Sequence, residues 1–178
     1  MTIDSSQTII GGPQVDSAVL RQWLNTRSAA NAPAIRDEIV SAYTAYGKLS
    51  RIGNILPFAQ ALHKTGHFSS PRWMQAFNPA GLGATNDATW GATFASPSEG
   101  IITQFAHLLA YAAKDEQLNV PQRLLVQFDP RLMPLVKRQW RGIAPRWVDL
   151  NSRWTFPGDG YGEKILSIGK AVVEAFKP

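Results

Sequence analysis

The stretch "NILPFAQALHKTGH", residues 54 to 67, decides how the rest of the chain is read. Pro57 falls where a first helical turn tolerates proline, and Gly66 falls where helices end, so the spacing predicts a helix over 54–66. Its last residues pose a chemical choice. His63 and His67 lie four apart, the spacing at which two imidazoles on one helix face share a zinc ion while a glutamate between them activates water. Lys64 stands where that glutamate would be, and a fixed cation opposes a dication. Gly66 also breaks the helix inside the motif and carries His67 off the shared face. No metal and no cofactor is expected. The plainer alternative is that Lys64 and His67 complement the negative end of the helix dipole.

The chain has 178 residues, 44% of them hydrophobic, enough for one domain that buries about two-thirds of its unfolded surface. It contains no cysteine, which excludes disulfides, thiolate metal sites and a cysteine nucleophile. No apolar run approaches the roughly 20 residues of a membrane span. The N-terminus "MTIDSSQTIIGGPQ" lacks the basic region and apolar stretch of a secretory signal. Lys and Arg outnumber Asp and Glu 18 to 13, for a net charge of +5, which suits an anionic polymer, an anionic lipid or nucleic acid. The basic residues thicken between 123 and 153, at Arg123, Arg131, Lys137, Arg138, Arg141, Arg146 and Arg153, interleaved with Trp140, Trp147 and Trp154. Such a mixture can form a single-strand nucleic-acid surface or a sugar platform. It equally describes a solvated rim over packed tryptophans.

Residues 1–14 are polar and glycine-containing and read as an N-terminal arm, with one domain over 15–178. Helices are predicted over 16–27, with Asp16 as cap, and over 32–49, with Ile35, Ile39, Val40, Tyr43 and Tyr46 on one stripe. Another is expected over 96–114, opened by Ser96 and Glu99 as a capping box with Pro97 at its first position. The chain closes with an amphipathic helix over 160–176. Residues 78–94, "NPAGLGATNDATWGATF", are rich in Gly, Asn and Thr and predict turns and short strands. Five prolines between 119 and 160 leave room for short helices only.

"FAQALHKTGHFSS" followed by "NPAGLG", "FASPSEGIITQFAHLLAYA" and "GDGYGEKILSI" resembles the glucosaminidase domains of bacterial and phage cell-wall hydrolases, glycoside hydrolase family 73 and its relatives. The resemblance covers residues 35–176. It implies a mostly α (α+β) fold: a lysozyme-like helical domain with a small irregular β lobe. It also implies peptidoglycan glycan as the partner, an endolysin-like place of action at the bacterial cell wall reached by phage delivery, release or another secretion route, and no role for nucleic acid. Oligomeric state stays open.

In that family the helix ends in a pattern like Q-A-x-x-E-T-G, whose glutamate is the general acid. Gln60, Ala61, Thr65 and Gly66 match, and Lys64 stands on the glutamate. The resemblance therefore implies either a hydrolase with a displaced acid or a non-hydrolytic protein that binds wall glycan. The candidate catalytic positions are Lys64, Asp87 and Tyr161. Asp87 can supply a second acidic group or simply form a turn in "TNDAT". Tyr161 can line the cleft or pack. Gln60, Trp73, Asn78, Gly81 and Trp90 are the candidate substrate-binding residues, the tryptophans as sugar-stacking faces with core packing as their alternative. Asn78 and Gly81 are expected to shape the loop beneath the sugar.

Overall fold

The computed structural model describes residues 2–84 and 91–176. The chain is mostly helical. Eight α-helices are present among the described residues: α1 (Ser17–Arg27), α2 (Pro33–Ser50), α3 (Ile55–Thr65), α4 (Pro71–Ala76), α5 (Pro97–Ala112), α6 (Val120–Val126), α7 (Leu132–Lys137) and α8 (Tyr161–Glu174). Short 3-10 turns occupy Asp115–Gln117 and Trp147–Leu150. Among the described residues no helix is long and apolar enough to cross a membrane.

The helix ends follow from local chemistry. Asp16 accepts a hydrogen bond from the Ala18 N–H and starts α1. Ser96 accepts one from the Glu99 N–H, while the Glu99 carboxylate reaches back to the Ala95 N–H, one residue before the cap. Gly66 takes a left-handed conformation, φ 55°, and its N–H caps the Leu62 carbonyl, which stops α3.

The core is built around α5, which is buried along nearly its whole length. Helices α2 and α6 pack on it, and α8 packs on α3. Tyr43, Phe58, Phe68 and Phe105 interlock at the centre and are fully buried. Burial of each ring removes enough apolar area to contribute about 1.5–3 kcal/mol, so this cluster fixes how α2, α3 and α5 meet.

One sequence expectation is corrected and two features are added. The β lobe over 78–94 is absent among the described residues, where turns take its place; residues 85–90 lie outside them. Among the described residues the one pairing of strand type is an isolated bridge between Thr8 and Arg146. That bridge bears on the N-terminal arm too. Ile9 is fully buried, and its N–H donates to the Pro145 carbonyl, so the arm is anchored to the body at Ile9. The second addition is a short helix. Helix α4 follows Ser70, whose hydroxyl accepts from the Trp73 N–H, with Pro71 at the first helical position. It lies between α3 and the 78–84 turn and frames the site.

Candidate functional site

A cleft of about 470 Å³ opens where the end of α3, the 78–84 turn, the C-terminal half of α5, α7 and residues 153–156 come together. That volume falls in the usual range for a small-ligand site. Lys64 is a half-buried residue of the last turn of α3 and forms one wall. A Cβ at Gly81 would stand 3.1 Å from Lys64 Cε, 3.7 Å from Lys64 Nζ and 3.6 Å from Arg72 Nη1. The two cations therefore both approach Gly81, and its missing side chain leaves them room. Burial, and next the Arg72 charge, hold the Lys64 amine below its ordinary value.

Gly81 keeps its left-handed φ of 68° because Asn78 clamps the turn. The Asn78 side chain accepts from the Leu82 N–H at 2.9 Å and donates to the carbonyls of Leu82, at 2.9 Å, and Ala92, at 3.0 Å. An amide is suited to this, since it offers an acceptor and two donors at once. Asn78 is fully buried, so it shapes the loop from beneath.

The far side of the cleft carries Arg131, Arg138 and Arg153. Behind them lies a pair that sequence reasoning missed. His107 Nδ1 is 2.9 Å from Asp129 Oδ2, and both residues are buried. The other Asp129 oxygen accepts from the Arg131 N–H at 2.8 Å. A carboxylate accepts and cannot donate, which makes Nδ1 the protonated nitrogen of His107. Trp154 closes over this pair with its ring 4.8 Å from that of His107, and its indole N–H donates to the Ala80 carbonyl. Tyr111 donates its hydroxyl proton to the Arg153 carbonyl, and burial pushes that hydroxyl up to about 12.

The predicted site residues divide. Lys64 and Gly81 lie together in the cleft, with Asn78 directly beneath. Gln60 and Tyr161 do not face it. They belong to a buried chain of hydrogen bonds in which Tyr43 donates to Gln104, Gln104 donates to Gln60, and Gln60 donates to the Tyr161 hydroxyl. Tyr161 is 4% exposed, burial lifts its hydroxyl well above its ordinary value, and that hydroxyl accepts from Gln60 inside the core. Trp73 is fully buried, donates to Asn31 and packs on Phe68, so it offers no face to a sugar. Asp87 and Trp90 lie outside the described residues.

The two histidines of the opening motif diverge. The His63 ring sits 5.9 Å from that of Tyr161, whereas His67, with φ 59°, stacks on Trp23. Among the described residues no group of three or more His, Cys, Asp or Glu side chains converges. The nearby acids have local partners. Glu163 accepts from Asn151, and Asp159 accepts from Ser152.

The basic stretch also divides. Arg141 is spent on the carbonyls of Leu109 and Ala110 and on Asp115, Arg146 on Asp149, and Arg123 on the Leu118 carbonyl. Trp147 is core. Trp140 and Trp154 line the cleft beside Arg131, Arg138 and Arg153. The Arg/Trp clustering was a legible signal for these, whereas nothing in the sequence near Arg72 marks it.

No protein-family model matches the chain. No solved structure matches it either. A Borreliella burgdorferi protein described as uncharacterized is 32% identical over 118 residues, covering 65% of this chain and 53% of that protein. The chain thus spans about half the length of this curated relative.

Proposed function

We propose that this protein binds peptidoglycan glycan in the Lys64 cleft of a lysozyme-like domain and does not hydrolyse it. One observation carries the reading: at the position where the resembling glucosaminidases hold their general acid, Lys64 stands in a cleft whose described lining contains no carboxylate.

The chemistry follows from what glycoside cleavage needs. A proton must reach the leaving oxygen while positive charge grows on the sugar, and a carboxylic acid held neutral by its surroundings does this. Here an ammonium and a guanidinium converge at Gly81. Both oppose the oxocarbenium-like centre, and losing the general acid alone costs on the order of 10²- to 10⁴-fold in rate. The same groups serve binding well, because they donate charge-assisted hydrogen bonds to the oxygens of a glycan.

The test pairs retention with turnover. Purified cell-wall glycan should sediment the wild-type protein and release no new reducing ends, and Lys64→Ala should lose retention. Reducing ends that appear with wild type and vanish in Asp87→Asn would replace this reading with a hydrolase whose acid is Asp87.

A further inference from the structure

We infer that the cleft is an anion site that takes an acidic saccharide, one carrying at least two carboxylate or phosphate groups, gripped by Lys64 and Arg72 at one end and by Arg131, Arg138 and Arg153 at the other. The saccharide part rests on the glycan-binding reading above; the anion part stands on its own.

Three observations support it. The first is charge of one sign. Five cationic side chains line the cleft, and its described lining has no Asp or Glu to neutralise them. The Asp129 carboxylate does lie near, but it is buried and committed to His107 and the Arg131 backbone.

The second is an unfinished hydrogen-bond set. Arg72 Nε is buried and has no partner among the described residues. A buried donor left unmade is costly; among the unpartnered buried donors, Arg72 Nε is the one whose residue lines the cleft, where an incoming acceptor can complete it. Arg72 and Lys64 both approach Gly81, and the Arg72 charge acts on the Lys64 amine. Two like charges sharing one small volume raise the energy of the empty site, and an anion between them removes that repulsion.

The third is selectivity within the basic stretch. Arg141, Arg146 and Arg123 have fixed local partners elsewhere, as described above, whereas among the described residues the side chains of Arg72, Arg131 and Arg138 have no ion-pair partner. These three therefore bring uncommitted positive charge to the cleft wall.

The aromatic surroundings decide between an acidic saccharide and a nucleic-acid strand. Base binding needs open ring faces. Arg138 already covers Trp140 at 5.2 Å, and Trp154 is packed on His107 and Tyr111. What remains exposed in the cleft are N–H donors, which suit oxygens, and the ring of Phe156 at the rim, a single platform where a strand needs successive ones.

Tryptophan fluorescence titrations on the full chain test this with four probes: inorganic pyrophosphate, a neutral β-1,4 N-acetylglucosamine tetramer, the same tetramer carrying phosphate groups, and a single-stranded oligonucleotide of equal charge. The phosphorylated tetramer should bind at least about tenfold tighter than the neutral one, the contribution expected of one or two charge-assisted hydrogen bonds. Arg72→Leu and Arg131→Gln should each remove about that factor, while Lys137→Gln, an exposed cation outside the cleft, should not. Circular dichroism of each variant separates lost binding from lost folding, and Arg72→Lys, which keeps the charge, should retain part of the affinity. Equal binding of the neutral and phosphorylated tetramers overturns the anion site and leaves the glycan reading standing. Pyrophosphate binding as tightly as the phosphorylated tetramer keeps the anion site and overturns the glycan reading. An oligonucleotide that binds tightest, with the same dependence on Arg72 and Arg131, overturns the saccharide assignment.

Discussion

Lys64 and Arg72 come from different helices and end beside the same glycine: a Cβ at Gly81 would lie 3.1 Å from Lys64 Cε and 3.6 Å from Arg72 Nη1. No local interaction requires two cations to meet there. On the anion-site reading, their convergence gives up some stability to prepare the cleft for a negative group.

Filling that point should disturb both partners. Gly81→Ala forces a side chain into a left-handed backbone at a cost of about 1–2 kcal/mol, and the new methyl presses on Lys64. We expect a lower midpoint in urea unfolding together with weakened glycan retention. An unchanged affinity would mean that Lys64 and Arg72 do not need their present placement.

Removing the charge at 64 should stabilise the fold. Burial and Arg72 lower the Lys64 amine in the folded state, so the unfolded chain holds that proton more tightly. The penalty is complete at pH below the folded-state value and fades as pH rises from there toward the unfolded value of about 10.4. Lys64→Met should therefore melt above wild type near neutral pH, and the gap should narrow as pH rises through that window. Solvent around the exposed part of the side chain keeps the gain modest. Thermal melts across pH check it, and a gap that widens with pH would contradict the assigned sign.

Putting a glutamate at 64 should not restore an acid. Arg72 stands within reach, and an adjacent guanidinium favours the ionised carboxylate, whereas a general acid must keep its proton near neutrality. Lys64→Glu should bind acidic saccharide poorly and release no reducing ends, while Lys64→Glu combined with Arg72→Leu is the better candidate for gained turnover. Hydrolysis by the single variant equal to the double would show that Arg72 does not control position 64.

Asn78→Ala should loosen the turn that carries Gly81. It strands the buried Leu82 N–H, which accounts for about 1–3 kcal/mol, and it unties Ala92. Hydrogen exchange at Leu82 and Ala92 should accelerate while the α5 amides stay protected. Uniform acceleration throughout would indicate global unfolding and no local clamp.

Much of the helical frame was legible because its signals are local. Asp16, the Ser96/Glu99 pair and Gly66 mark ends by chemistry that acts within one turn. In the 78–94 segment the described residues form the expected turns and show no strands: Gly, Asn and Thr favour tight turns of several kinds, and the Asn78 side chain ties Leu82 and Ala92 together. Burial explains the misplaced site residues. Gln60 and Tyr161 belong to the matched motifs but point into the core, and Trp73 needed Asn31, 42 residues away, to satisfy its N–H. The His107–Asp129 pair and the role of Arg72 depend on contacts between distant segments, which no spacing rule encodes.

The most direct test of a non-hydrolytic glycan cleft is a single incubation of wild-type protein and Lys64→Ala with purified peptidoglycan glycan strands, scored for co-sedimentation and for new reducing ends. The account predicts that wild type sediments with the glycan, that Lys64→Ala stays in solution, and that neither produces reducing ends above the protein-free control. Reducing ends produced by wild type, or equal sedimentation of the two proteins, would contradict it.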